Sequence, residues 1–389
     1  MADSSSVRLL TPAFVALTLS DLAYFSAAGV LLAVTPLFVV GPLESDKAGV
    51  GLAMGAFSVT TLLLRPLAGR WTDRYGRRRL LLAGAVLYAV LVTGHLLVDG
   101  VVALVVLRLL LGVAEALYFV AGFAALADLA PPGRAGEALS LNSLALYVGI
   151  AVGPLVGQGL LDLGGYTAAW LGAATLSAAA VGLAAKVPET LTPQAEDASP
   201  TPLVHRAALL PGIGLGVGIA CMSGFFAFAV LHARDLGLEA WSVVLLAFGS
   251  VVVGCRTVFR SLPDRLPPLP LAAASLFLTG LGLLTIASVD SITGLFLGTG
   301  LLAVGTAFIT PAVFAAVFGM VDPSERGSAA ATVSVFIDLG FGGGPMLLGL
   351  VAAGSGIPVA FAVAAAVSVA GALLLLVGAR STPLAERTA

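Results

Sequence analysis

Three carboxyl groups and one guanidinium stand where charge is expensive. Asp21, Glu115, Asp338 and Arg108 all fall inside long apolar runs of this 389-residue chain. An ionisable side chain in such a run is costly unless it faces a protein interior, a partner or a water-filled cavity. The chemistry open to it is proton exchange, because burial and a movable opposite charge both change how tightly a carboxyl holds its proton. Arg108, Gly112 and Glu115 recur at i, i+4 and i+7, one face of a helix. At 1.5 Å per residue, Arg108 and Glu115 are about 10 Å apart along that face, too far for a direct pair. Each then needs a partner from another segment or water in a cavity. One reading is a static pair between Asp21 and Arg108; the other is proton exchange by one or more of the acids. Spacing alone leaves both open.

A second charged stretch lies between two apolar blocks. Arg65 to Leu82, RPLAGRWTDRYGRRRLLL, carries six arginines with Asp73, Gly69 and Gly76, in a chain of which only 10% is charged. A dense basic turn flanked by apolar runs suits a short cytoplasmic loop of a multi-span membrane protein. A basic patch can also bind nucleic acid. Here the polar, soluble surroundings of such a domain are missing, so no nucleic-acid partner is expected.

The elements that must position these residues are helices in lipid. The chain is 59% hydrophobic with mean hydropathy +1.07, whereas soluble domains are roughly 45–50% apolar and about 25% charged. A span needs about 20 apolar residues. Twelve stretches qualify. The first six cover 11–39, 48–68, 79–98, 101–127, 137–161 and 167–187. The second six cover 207–231, 241–262, 269–288, 292–320, 327–353 and 357–379. The expectation is an all-α membrane protein with an N-terminal bundle at 1–187, a flexible cytoplasmic linker at 188–206 and a C-terminal bundle at 207–389. With the N-terminus inside, only Lys47 and Arg234 of the 19 basic residues fall outside and Arg108 lies within a span. That bias puts both termini in the cytoplasm. Met1 to Leu10 lacks the pattern of a cleavable signal. Cys221 and Cys255 sit in apolar runs, and the three histidines are scattered, so neither a disulfide nor a metal site is expected.

The two halves repeat. An offset of 191 carries Arg65, Asp73, Arg74, Gly149, Gly153 and Pro154 onto Arg256, Asp264, Arg265, Gly340, Gly344 and Pro345. In the loop, Gly69, Asp73, Arg74, Gly76, Arg77 and Arg78 fill the pattern Gly-x-x-x-Asp-Arg-x-Gly-Arg-Arg without a gap. That pattern resembles the loop between helices 2 and 3 of the major facilitator superfamily. The resemblance covers Thr11 to about Arg380 and implies two pseudo-symmetric six-helix bundles that rock about a midplane site. The fourth-span stretch LVVLRLLLGVAEA, with Arg108 and Gly112, is similar to a further family motif.

Gly149, Gly153, Pro154 and Gly157 form GIAVGPLVGQG on the fifth span. Physically this is a small-residue face that lets another backbone approach closely, expected here across the interface between the halves. Its form also resembles the antiporter motif of exporters, with Gln158 as a departure. The resemblance further implies a conformational latch in which Asp128 meets Arg77 or Arg70 and Asp73 lies near Gly327 and Ser328; a solvated end charge is the plain alternative for Asp128. In this family spans 1, 4, 7 and 10 line the cavity. They offer Tyr24, Phe25, Tyr118, Phe119, Phe225, Phe226 and Phe228, among others, which favours an amphipathic or aromatic ligand. The expected function is export of small drug-like or secondary-metabolite compounds in exchange for protons, from the cytoplasmic membrane. No cofactor is expected beyond a proton gradient, and the partners are substrate, protons and lipid around a monomer. Export of a sugar or a metallophore-like metabolite is the alternative. A polytopic membrane enzyme would need a convergent catalytic set that three scattered histidines do not supply.

Overall fold

The computed structural model describes residues 9–131, 134–191, 204–322 and 325–381, and among these the secondary structure is helical throughout. The principal helices are α1 (Pro12–Val40), α2 (Lys47–Tyr75), α3 (Arg77–Gly94), α4 (Val101–Leu129), α5 (Ala135–Ala184) and α6 (Leu209–Asp235). They continue with α7 (Val243–Val258), the single turn α8 (Leu262–Arg265), α9 (Pro268–Ser288), α10 (Ile292–Gly319), α11 (Arg326–Ser355) and α12 (Ile357–Ser381). Among the described residues, ten helical stretches are long and apolar enough to cross a bilayer, and α7 is a shorter apolar helix.

Local chemistry sets several of the boundaries. Thr11 caps α1 by accepting from the Phe14 N–H, and Pro12 follows in the first turn. Ser291 caps α10 in the same way through the Gly294 N–H. The fifth and sixth predicted spans form one 50-residue helix, α5, broken only at Gly164 and Gly165, where Gly165 takes φ +66°. Two glycines thus reverse the chain with no intervening loop, since a left-handed residue costs glycine little. The eighth predicted span, 241–262, is trimmed to α7. Phe259 leaves helical geometry, and Pro263 then falls in the separate turn α8.

By contacts the chain divides into two units. The first comprises Met1–Glu44 and Ala56–Ala195; the second comprises Ser45–Gly55 and Glu196–Ala389, so the opening turns of α2 group with the second unit. In the first unit α1 packs along α5, and α3 along α4. In the second, α6 packs along α11, and α9 along α10. These are corresponding pairs of the repeat. Small residues allow the close approach in both. A Cβ on Gly29 would meet the Gly149 carbonyl oxygen at 2.9 Å and the Gly153 Cα at 3.0 Å. A Cβ on Gly340 would lie 2.6 Å from the Gly216 carbonyl oxygen, and one on Gly305 would press on the backbone of Ser275.

Of the expected linker 188–206, residues 188–191 and 204–206 are described, and both ends are tied down rather than free. The His205 N–H donates to Thr332 Oγ1 at 2.9 Å, and its ring lies 3.3 Å from Glu325.

Candidate functional site

The glycines of the fifth predicted span place the site. Gly149 meets Phe25 and Ser26, Gly153 meets Ser26 and Gly29, and Gly157 meets Val30 and Val34. The face expected to meet the opposite half therefore meets α1 of its own unit, and the two helices run in the same direction. Two turns before Gly149 the same stripe of α5 presents Asn142, and opposite it stands Asp21. Asn142 donates its side-chain N–H to Asp21 Oδ2 at 2.7 Å. The hydroxyl of Tyr118, from α4, lies 2.8 Å from Asp21 Oδ1. That hydroxyl is also 2.8 Å from Ser20 Oγ, which donates to the Ala180 carbonyl oxygen at 2.9 Å. Asp21 is 7% exposed and Ser20 is fully buried. Both carboxyl oxygens are thus engaged by Tyr118 and Asn142, in place of the pairing with Arg108 that the sequence left open. Three helices converge on one acid.

Aromatic rings wall this cluster. Tyr24 stacks on Tyr118 at 4.2 Å between centroids and 3° between planes, and also meets Tyr88 of α3 at 4.1 Å and Phe25 edge-on at 5.4 Å. Tyr24 is within electrostatic reach of both Asp21 and Glu115, and Tyr88 within reach of Glu115 and Arg108. The tyrosines thus neighbour both the acid of α1 and the charged groups of α4. Arg108 is 7% exposed and lies over the Phe57 ring at 5.5 Å from its centroid. Beside the acid opens a cavity of about 70 Å³, lined by Asp21, Phe25, Tyr118, Phe119, Asn142 and Ser143 with further apolar neighbours. Phe119 packs on Phe123 at 4.7 Å, with the Arg65 guanidinium over its ring.

The other expected residues fall elsewhere. Phe225, Phe226 and Phe228 are core rather than open lining, with Phe225 against Phe248 and Phe361. Aromatic side chains at nearly successive positions face around the helix, so most of them must pack. Asp338 is buried, at 4% exposure, on α11 of the second unit.

The loop motif builds a hub on Arg77. Its Nη1 reaches Asp73 at 2.8 Å and donates to the Thr72 carbonyl oxygen at 3.1 Å, while Nε reaches Asp128 at 3.2 Å. Thr190, just beyond the sixth predicted span, donates its hydroxyl to Asp128 at 2.9 Å. Next to it, Glu189 accepts from the Arg77 N–H at 2.9 Å and so caps α3 from outside the helix. Gly76, at φ +100°, is the residue beneath that carboxylate, and any Cβ there would strike it. Burial opposes the charged form of Glu189. The N–H groups of Leu191, Arg77, Arg78 and Thr190 outweigh it and hold the carboxyl below its ordinary value. Arg78 donates to the Ala185 carbonyl oxygen, and Arg74 lies over Tyr75. A Cβ at Gly69 would meet nothing within 4 Å, so local crowding does not require that glycine.

The model of the Major Facilitator Superfamily matches residues 16–293 and 257–389. The chain belongs to this superfamily. It is 28% identical over 360 residues to an uncharacterized MFS-type transporter of Salmonella typhimurium, covering 89% of this chain and 91% of that one. An uncharacterized MFS-type transporter of Burkholderia pseudomallei is 31% identical over 385 residues, covering 93% and 89%. Among solved structures, a bacterial homolog of the human lysosomal transporter Spinster, inward-facing and occupied, superposes with TM-score 0.80 at 15% identity, over 94% of this chain and 96% of that one. The human organic anion transporter MFSD10 gives TM-score 0.72 at 18% identity, over 94% and 99%. At these identities the structures speak for the fold. The protein is a multi-pass membrane transporter of the Major Facilitator Superfamily, and not an enzyme.

Within this superfamily fold, four contributors to the site went unnoticed in the sequence: Ser20, Tyr88, Asn142 and the Ala180 carbonyl. Asn142 had a legible signal, since it is seven residues before Gly149 and hence on the same stripe. Ser20 and Ala180 had none, because a serine beside an acid and a backbone oxygen look ordinary until the helices meet.

Proposed function

We propose that this superfamily member is a twelve-span exporter, both termini in the cytoplasm, that moves small amphipathic or aromatic compounds out of the cell by proton-coupled alternating access. What carries the reading is the Asp21 cluster. A buried carboxyl, with the neutral side chains of Tyr118 and Asn142 on its two oxygens, borders a cavity walled by Phe25 and Phe119. An acid with neutral partners can change its protonation without breaking an ion pair. The aromatic wall suits a ring-bearing substrate once alternating access widens the cavity, and the acid and amide suit its polar end. The ten long helices, the break in α5 and the short α7 support the reading of twelve spans. The glycine motif of α5 supports export through its resemblance to the antiporter motif. Asn142 and Ser143 favour, as a second reading, a more polar cargo such as a sugar or a metallophore-like metabolite.

The test is efflux of a compound panel from reconstituted vesicles, with and without a pH gradient, for wild type, Asp21→Asn and Glu115→Gln. The expected outcome is gradient-dependent efflux of aromatic amphiphiles that Asp21→Asn abolishes while binding persists. Efflux indifferent to the gradient in wild type removes the proton-coupled reading and leaves facilitated export.

A further inference from the structure

The hydrogen-bond chain at Asp21 can be counted proton by proton. Its links are Asp21 Oδ1 to Tyr118 Oη at 2.8 Å, Tyr118 Oη to Ser20 Oγ at 2.8 Å and Ser20 Oγ to the Ala180 carbonyl oxygen at 2.9 Å. Each hydroxyl has one proton, and a carbonyl oxygen has none. The last link therefore uses the Ser20 proton. The middle link must then use the Tyr118 proton. Nothing remains for the first link except a proton on Asp21 itself. With Asp21 ionised, two protons serve three links, and a pair of oxygens less than 3 Å apart is left with no hydrogen between them. Asn142 donates to the other oxygen, Oδ2, in either state, which leaves Oδ1 as the atom that carries the proton.

We propose that Ser20 is a positioning residue for the coupling proton: by tying Tyr118 to the Ala180 carbonyl, it orients the chain so that its three links close only when Asp21 is protonated. Loss of the proton to water reverses Tyr118 toward the carboxylate and opens a link at Ser20. That link joins α4 to α1, so proton release loosens α4 against α1, while Ser20 keeps its bond to the Ala180 carbonyl on the second limb of α5. The groups facing Asp21 are Tyr24 on its own helix and Tyr118 on α4, with the Asn142 amide on α5. Glu115 of α4 and Tyr88 of α3 are within electrostatic reach of Tyr24, and Arg108 of α4 within reach of Tyr88. This inference rests on Asp21 being the coupling acid.

The experiment is an infrared pH titration of the full-length protein in lipid nanodiscs, following the carboxylic-acid C=O band that Asp21→Asn removes. Without Ser20, Tyr118 is free to donate to the carboxylate, so Ser20→Ala should lose the band at a pH lower than wild type by roughly one unit, the scale of one unmade hydrogen bond. Ser20→Cys, nearly the same size with a weak donor, should fall between the two, and stands in if the alanine variant does not fold. A titration unchanged in both variants overturns the proposal, because burial alone then holds the proton. So does a wild-type protein with no band at Asp21 near neutral pH. The two readings separate cleanly. Proton-coupled efflux with an unshifted titration sinks only the role of Ser20, while a shifted titration with uncoupled efflux sinks only the transport reading.

Discussion

At the scale of single residues, the structure exchanges long-range charge pairing for short hydrogen bonds. Asp21 and Arg108 were each in need of a partner, and the acid found Tyr118 and Asn142. A neutral donor satisfies a buried carboxyl without the desolvation of a second ion, which is the expensive part of a buried pair. Glu189 shows the opposite regime at the membrane edge, where several backbone N–H groups stabilise a charge. Its carboxyl is held below its ordinary value in the folded protein. The stabilisation is therefore complete above the ordinary carboxylate range and is lost as pH falls through the lowered folded value. Glu189→Gln should lower the thermal stability of purified protein at neutral pH and make no difference in acid, beyond that lower value. An equal deficit at both pH values would show that packing, not charge, is what Glu189 supplies.

At the scale of elements, glycine decides which helices can touch. A Cβ at Gly153 would stand 2.5 Å from the Ser26 carbonyl oxygen and 2.6 Å from the Gly29 Cα. Both are backbone atoms, which cannot rotate away. Gly153→Ala should therefore separate α1 from α5 and cost about 1–3 kcal/mol by overpacking, moving Asn142 away from Asp21 and impairing transport. Gly159, six residues on, is exposed and has nothing within 4 Å of its Cβ direction. Gly159→Ala should be neutral or stabilising by about 0.5–1 kcal/mol, since alanine is the better helix former. Thermal unfolding of both variants in one detergent, with efflux measured beside it, checks the pair. Equal behaviour would show that the glycine face is not what positions the acid. The face expected to meet the opposite half lies against α1 instead, because spacing identifies a stripe and not what lies against it.

At the scale of the whole molecule, the Arg77 hub joins α3, the end of α2, the end of α4 and the chain beyond α5 at one edge of the first unit. The pairs are partly exposed, with Asp73 73% accessible and Asp128 30%, so each adds only about 0.2–1 kcal/mol to stability. Asp73→Asn should thus leave folding intact while shifting the balance of inward- and outward-open states and lowering transport. Distances between spin labels at the cytoplasmic ends of the two halves report that balance, and an unmoved distribution with normal transport would remove the latch. Single cysteines test the arrangement in the membrane, with Cys221 and Cys255 first replaced. Labelling at Asp99 and Asp162 is expected from outside intact cells, and labelling at Arg79 and Glu189 only after permeabilisation. The membrane class, the positions of nearly all the helices and the internal repeat were readable from the chain alone, because lipid demands long apolar runs and the repeat preserves its arginines, glycines and prolines in register. The basic loop was equally plain. What only the tertiary structure decided was the company each polar group keeps: Asn142, Ser20 and the Ala180 carbonyl around Asp21, and Glu189 over Gly76. Hydropathy records how a residue fares in lipid or water, whereas a hydrogen bond depends on which helix turns toward which, and packing alone sets that.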